Sequence, residues 1–186
     1  TGVDIDANVT TLAINNADAG SNVQIDSSST SLTIGSVTTS AGALAGITTA
    51  GGSVNVEGAT AITVDNALTS NGGGIVLTTT TGDLTVNANV SASTGDIQIN
   101  AADLVLTGAL SSSGTLVLQP STTGSTIGIG GGSGTFDVGD AELALLTDGF
   151  ASITIGDATN GTGAVDVDES TFVDPVTIVG GAIAVT

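Results

Sequence analysis

The feature that most constrains this chain is a short triplet, apolar–any residue–apolar, that recurs along its whole length. Clear examples are Ile75-Val76-Leu77 and Leu84-Thr85-Val86. Such alternation puts successive side chains on opposite faces of a strand, so each triplet predicts a strand with one buried face. Because turn-forming residues separate the triplets, the sequence predicts a chain built almost entirely of short β-strands.

The triplets form two interleaved series, and each series repeats about every 20 residues. The first series begins at Val3, Val23, Leu44, Ile62, Leu84, Leu104, Ile127, Leu143, Val165 and Ile183, and the second begins at Leu12, Leu32, Val54, Ile75, Ile97, Leu116, Phe136, Ile153 and Val176. A fixed period of this size is typical of solenoids. We therefore expect one all-β domain over residues 1–186, a single-stranded parallel β-helix (β-solenoid) of about nine coils, in which each series stacks into columns.

An antiparallel β-sandwich is the alternative, since its strands also recur about every 8–12 residues. Two-residue hairpins favour Asn-Gly, and the chain has only two such pairs, Asn71-Gly72 and Asn160-Gly161. The constant period and the scarcity of hairpin signals favour the solenoid.

Three segments depart from the regular pattern. Weak triplets around 36–53 predict a looser coil or a protruding loop, and a glycine-rich coil is expected around 124–134. Its glycines would let another backbone approach closely, with a flexible turn as the alternative. The segment 141–146 is the only one that suggests a helical turn.

Composition excludes several classes of function. The chain has eighteen acidic residues and no Lys, Arg or His, which gives a net charge of −18. Nucleic acid is excluded as a partner because phosphate binding needs cationic side chains. No apolar run approaches the length of about 18 residues that a membrane helix needs, so membrane insertion is not expected. The chain also lacks Cys, and it offers no site to a trypsin-like protease, which suits an extracellular surface.

Acidic side chains are the only groups that suggest chemistry. Asp6 and Asp26 follow their triplets one period apart. Asp166 is the middle residue of the later triplet Val165-Asp166-Val167, and Asp168 follows it directly. Carboxylate oxygens suit Ca²⁺, so these four residues are the candidate ligands, with solvated surface acids as the alternative. Paired carboxylates also serve glycosidases. However, the chain has no Trp, Tyr or cationic residue to hold a sugar, so we do not expect an enzyme or an organic cofactor.

The amino-acid sequences of several segments resemble those of a known family. Residues 145–150 are LLTDGF, 153–157 are ITIGD, 97–101 are IQINA and 104–107 are LVLT. These segments resemble the repeat regions of filamentous-haemagglutinin-like adhesins, which Gram-negative bacteria export. The resemblance implies a right-handed parallel β-helix at the cell surface, with a role in adhesion or biofilm matrix. The Asn-Pro motifs of that family's secretion domain are absent, because neither Pro120 nor Pro175 follows Asn. The resemblance therefore implies that this chain is part of the adhesin's shaft, and it identifies no binding residues in this sequence.

These observations predict a non-enzymatic structural module, the shaft of an extracellular bacterial filament or adhesin. The chain begins and ends on a triplet, so we expect more β-helix to pair with both ends, supplied by the same chain or by identical subunits. A surface β-helix that binds or degrades polysaccharide is the main alternative, with glycans as partners. An ice-binding solenoid is a lesser alternative. It is suggested by outward-facing threonines, namely Thr33, Thr63, Thr85, Thr154 and Thr177.

Overall fold

The computed structural model describes residues 2–186, and most of this range forms short strands. In chain order these are β1 (Val3–Ala7), β2 (Thr11–Leu12), β3 (Ile14–Ala19), β4 (Val23–Ser27), β5 (Ser31–Ile34), β6 (Ser36–Thr39), β7 (Gly42–Ala45), β8 (Ile47–Ala50), β9 (Val54–Glu57), β10 (Ala61–Val64), β11 (Leu68–Thr69) and β12 (Ile75–Thr78). They continue with β13 (Leu84–Val86), β14 (Val90–Ser93), β15 (Ile97–Ala101), β16 (Leu104–Leu106), β17 (Leu110–Ser112), β18 (Thr115–Pro120), β19 (Ile127–Ile129), β20 (Phe136–Val138), β21 (Ser152–Ile155), β22 (Val165–Val167), β23 (Val176–Ile178) and β24 (Ile183–Val185). One helical turn, α1 (Asp140–Leu143), lies near the segment in which the sequence predicts one. The all-β prediction is confirmed.

Most strands belong to parallel sheets that the chain visits in rotation. Sheet A has the order β1-β4-β9-β12-β15-β18-β21-β23, sheet B has β16-β13-β10-β5-β2, and sheet C has β17-β14-β11-β8-β3. A fourth parallel sheet, sheet D, has the order β20-β19-β22-β24. Over the regular part of the chain, every third strand returns to the same sheet and pairs with its predecessor in parallel. Each return therefore crosses the other two sheets.

The inward side chains of these sheets form one apolar core. In sheet A, Ile75 pairs with Ile97 and Leu77 pairs with Ile99, and all four side chains are fully buried. Nearly all core side chains are Val, Ile, Leu or Ala, which fill a thin interior without large rings. Burying each larger aliphatic side chain contributes about 1.5–3 kcal/mol relative to exposure, opposed by the entropy of ordering the chain.

The columns of stacked residues differ from the predicted ones after the second coil. Leu44 was expected to stack on Val23, but it lies in an antiparallel hairpin formed by β6 and β7, and its side chain is 39% exposed. Val23 pairs instead with Val54, a member of the other series. The hairpin takes up about half a period, so each later strand is displaced by one series.

Sheet A has eight strands, whereas the sequence predicts about nine coils. The difference arises because two returns to sheet A are longer than the others. The first contains the β6–β7 hairpin, and the second, between β18 and β21, contains β19, β20 and α1.

Buried hydroxyl groups line the corner at which the chain passes from sheet C to sheet A. Thr49 donates a hydrogen bond to the Gly52 carbonyl, and Ser70 donates one to the Gly73 carbonyl. Ser112 occupies the same corner later in the chain. Each of these hydrogen bonds gives a partner both to a turn carbonyl and to a buried hydroxyl, so neither group is left unpaired in the interior.

Glycines stack on one another at the same corner. A Cβ atom at Gly95 would lie 2.7 Å from the Gly74 nitrogen, and one at Gly114 would lie 2.6 Å from the Gly95 carbonyl oxygen. The backbones of successive coils are therefore too close for any side chain. This column is a packing requirement for glycine, since neither residue has a positive φ.

The glycine-rich run after β18 folds back on its own strand. A Cβ atom at Gly128 would lie 2.5 Å from the Gly132 carbonyl oxygen and 2.8 Å from the Gly134 nitrogen. The backbone that closely approaches these glycines, as the sequence predicts, therefore belongs to the same glycine-rich run.

Both ends of the stack leave apolar residues uncovered. On β24, the side chains of Ile183 and Val185 are 48% and 77% exposed. Val3 and Ile5 on β1 are only half-buried, although their partners Val23 and Ile25 are fully buried. Among residues 2–186, no helix is long and apolar enough to cross a membrane.

Candidate functional site

Polar side chains form a continuous column along the outer edge of sheet A, which we call the polar column. Its members occupy the same outward position on six successive strands of the sheet. They are Asp6, Asp26, Glu57, Thr78, Asn100 and Gln119. Because strands in a parallel sheet lie about 4.8 Å apart, the column offers one polar group per coil at that spacing. Its first half is acidic and its second half is neutral.

The acidic half contains the cluster at which the sequence suggests a cation. Asp6 and Asp26 face each other in register, as expected from their spacing of one period. Asp4 joins them, and one carboxylate oxygen from each residue lies within 4.8 Å of the others. All three side chains are exposed. Sequence reasoning missed Asp4, although its position two residues before Asp6 puts it on the same outward face.

Side-chain amides separate the carboxylates of this half. The Gln24 Nε2 donates to Asp26 Oδ1 at 3.1 Å and to Glu57 Oε1 at 3.0 Å. The Asn55 Nδ2 donates to Gln24 Oε1 at 2.9 Å. In a chain without cationic side chains, these neutral donors are what offsets the repulsion between stacked acids.

The second predicted pair of acids, Asp166 and Asp168, accepts hydrogen bonds from backbone nitrogens. Asp166 accepts a hydrogen bond from the Ser133 backbone nitrogen at 2.9 Å, so its carboxylate holds the glycine-rich loop. Asp168 accepts one from the Glu169 nitrogen at 2.8 Å. Asp4, Asp6 and Asp26 are the only group of three potential metal ligands found in residues 2–186.

The neutral half of the polar column borders a groove of about 480 Å³. Thr78, Asn100 and Gln119 form one side of it, and Asp157 and Asn160 approach from the loop after β21. Asn100 Nδ2 donates to Thr78 Oγ1 at 3.0 Å, and Asn100 Oδ1 accepts from Gln98 Nε2 at 3.2 Å. The groove is therefore lined by hydroxyl, amide and carboxylate groups.

Two details of this groove bear on binding. No hydrogen bond joins the half-buried Gln119 side chain to another residue of 2–186, so both ends of its amide are available. The loop is fixed by Asp157, whose Oδ1 accepts from the Thr159 and Asn160 nitrogens at 2.8 and 3.1 Å. These backbone hydrogen bonds hold the pKa of Asp157 below its ordinary value.

Two further carboxylates have shifted pKa values. Asp96 accepts a hydrogen bond from the Thr115 nitrogen at 2.7 Å, and this bond lowers the pKa of Asp96. Desolvation, followed by the charge of Asp103, raises the pKa of Asp137. Asp137 is also close to the Asp103 carboxylate in the fold, because its backbone nitrogen donates to Asp103 Oδ1 at 2.8 Å. Neither group has a cationic or aromatic partner suited to holding a sugar for hydrolysis.

The outer face of sheet B carries a single file of threonines. Thr11, Thr33, Thr63 and Thr85 are in register on adjacent strands, and Val105 follows them. The other predicted outward threonines, Thr154 and Thr177, pair with each other in sheet A. Each strand thus contributes one threonine to its column, and the double Thr-x-Thr rank of a flat ice-binding face is not formed by these residues.

The chain matches no protein-family model, and neither the curated proteins nor the solved structures contain a significant match.

Proposed function

We propose that the chain is a segment of a β-solenoid that serves as the non-enzymatic shaft of an extracellular bacterial filament or adhesin. The observation that carries the proposal is the rotation of the chain through parallel sheets, with each return pairing in register to the one before. A single-stranded parallel β-helix accounts for this path. Eight strands at about 4.8 Å make sheet A about 34 Å tall, so each segment of this size adds that length to a shaft.

The mechanical role follows from the bonding between coils. Each coil is joined to the next by backbone hydrogen bonds on several faces and by a continuous aliphatic core, so stability accumulates through neighbouring coils. The exterior carries the acids and hydroxyls, which keep a long rod hydrated and make neighbouring rods repel each other. Adhesion, matrix building and surface export are part of the same proposal and rest on the family resemblance and the composition.

More β-solenoid is the partner we propose for both ends of the stack. Strands β1 and β23 each pair on one side only in sheet A, and β24 does so in sheet D. Unpaired strand edges bind other strands readily, and the uncovered Ile183 and Val185 would be buried by a further coil. That coil comes either from flanking sequence or from a second copy, and both sources give a head-to-tail contact that extends the rod.

Hydrogen exchange combined with electron microscopy tests this proposal. In isolated short rods, the amides of β1, β23 and β24 should exchange fast while those of β12 and β15 stay protected; in filaments, the terminal amides should become protected as well. A monomer whose terminal strands are as protected as β12, or particles that are not rod-shaped, would contradict the proposal. An Ile183→Asp variant should abolish filaments if copies stack, and an Ala141→Asp change on the exposed face of α1 is the matched control.

We also propose that Asp4, Asp6 and Asp26 hold a Ca²⁺ ion. These residues supply three hard oxygen ligands on two adjacent coils. Ca²⁺ takes about six to eight oxygens, so water would complete its coordination and the affinity would be low. A bound cation would remove the repulsion between carboxylates on neighbouring coils.

A further inference from the structure

We propose that the neutral half of the polar column is a binding site for an uncharged, linear glycan that lies along the shaft. The site is the groove bordered by Thr78, Asn100, Gln119, Asp157 and Asn160. This inference does not depend on the shaft function, because the groove belongs to the folded segment whatever its ends contact.

The polar side chains of the groove can form hydrogen bonds of the kind that sugar hydroxyl groups need. Asn100 and Gln119 each present an amide that donates and accepts, and the Thr78 hydroxyl is still free to donate after it accepts from Asn100. Sugar hydroxyl groups are likewise donors and acceptors at once. The half-buried Gln119 amide has no hydrogen-bond partner in the described chain, and neither has the buried Ser121 Oγ, which also lines the groove.

The spacing of these side chains suits a linear glycan. Thr78, Asn100 and Gln119 stand on three adjacent strands of sheet A, in register. Their separation of about 4.8 Å per coil is comparable to the advance of one pyranose unit along an extended glycan. A linear chain can therefore repeat the same contact from one coil to the next.

The groove also has the size of a small-ligand site. Asp157 and Asn160, on the loop after β21, line the groove together with Pro120, Ser121 and Thr123. A volume of about 480 Å³ is within the range of small-ligand sites, about 300–1,000 Å³. Because Asp157 holds the loop through two backbone hydrogen bonds, the wall is formed before the ligand arrives.

Charge decides which glycans are accepted. The chain has a net charge of −18 and no cationic side chain, so uronate-rich or sulfated glycans would be repelled. Asp157, whose Oδ1 is engaged with the loop, leaves Oδ2 to accept a hydrogen bond from a sugar hydroxyl. The site contains no aromatic platform, so we expect weak binding at each site, strengthened when several shafts bind one glycan.

The test is an NMR titration of the folded segment with cellohexaose, mannohexaose and xylohexaose, and with a hexamer of galacturonic acid as the anionic probe. At least one neutral oligomer should give saturable shifts at the side-chain amides of Asn100, Gln119 and Asn160, and the acidic oligomer should give none. An N100A/Q119A variant should bind about tenfold more weakly, since it loses two or more hydrogen bonds to the ligand.

Two controls keep the result interpretable. Thr85→Ala changes a half-buried hydroxyl on the outer face of sheet B, away from the groove, and should bind like the wild type. Unchanged backbone spectra of the double variant will establish that it folds. The inference is overturned if no neutral oligomer gives saturable shifts at these amides, if the double variant binds as well as the wild type, or if the acidic oligomer binds equally well.

Discussion

Replacing Gly95 with Ala is the sharpest test of how the coils stack. A Cβ atom at this position would lie 2.7 Å from the Gly74 backbone nitrogen, whereas ordinary contacts begin at 3.4 Å. The Gly73 carbonyl group lies closer still, so the two coils must separate locally by more than the 0.7 Å that the Gly74 contact alone requires. The inter-coil hydrogen bond from the Ile75 nitrogen to the Asp96 carbonyl, 2.8 Å long, would then stretch beyond about 3.5 Å and be lost.

We expect the substitution to destabilise the protein by about 1–3 kcal/mol, the usual cost of overpacking. For a chain of this size, each kcal/mol lowers the melting temperature by about 2–4 °C. The assay is thermal and urea unfolding followed by far-ultraviolet circular dichroism.

Gly74→Ala is the matched control for this experiment. Gly74 lies in the neighbouring coil and also lacks a positive φ, but a Cβ atom there would lie 3.4 Å from its nearest neighbour, the Asp96 carbonyl oxygen. This variant should be as stable as the wild type or more stable by about 0.4–1 kcal/mol, because alanine restricts the unfolded chain. Equal stability of the Gly95→Ala and Gly74→Ala variants would refute the close stacking of backbones at this corner.

Two further predictions concern charge. The free energy of unfolding of Asp137→Asn should exceed that of the wild type at neutral pH by less than about 1 kcal/mol. The reason is that the raised pKa of Asp137 means that its ionised form opposes folding. The folded state binds this proton more tightly than the unfolded state, so the advantage should shrink as the pH falls through the raised pKa of Asp137 and should be absent below the usual value of 3.8; a pH-independent difference would contradict this cause. Ca²⁺ should raise the melting temperature of the wild type but not that of a D6N/D26N variant, and an equal rise in both would place the ion elsewhere.

Local patterns in the sequence were sufficient to predict the strands and their buried faces. A triplet such as Ile97-Gln98-Ile99 alternates with the period of a strand, and its Ile side chains are buried in the structure while Gln98 faces outward. The pairing of Asp6 with Asp26 also followed from their spacing. In both cases the information lies within one coil or one period, where chain geometry leaves little choice.

Which strands stack on which was decided only by the tertiary structure. Two series with the same period of about 20 residues fit equally well in either alignment, and the β6–β7 hairpin exchanged them, so that Val23 meets Val54 instead of Leu44. The groove was hidden for the same reason, since Gln119 and Asp157 are 38 residues apart in sequence. Short-range alternation fixes the direction of a side chain, but neighbours across coils depend on how many residues each return consumes, and only the folded path determines that number.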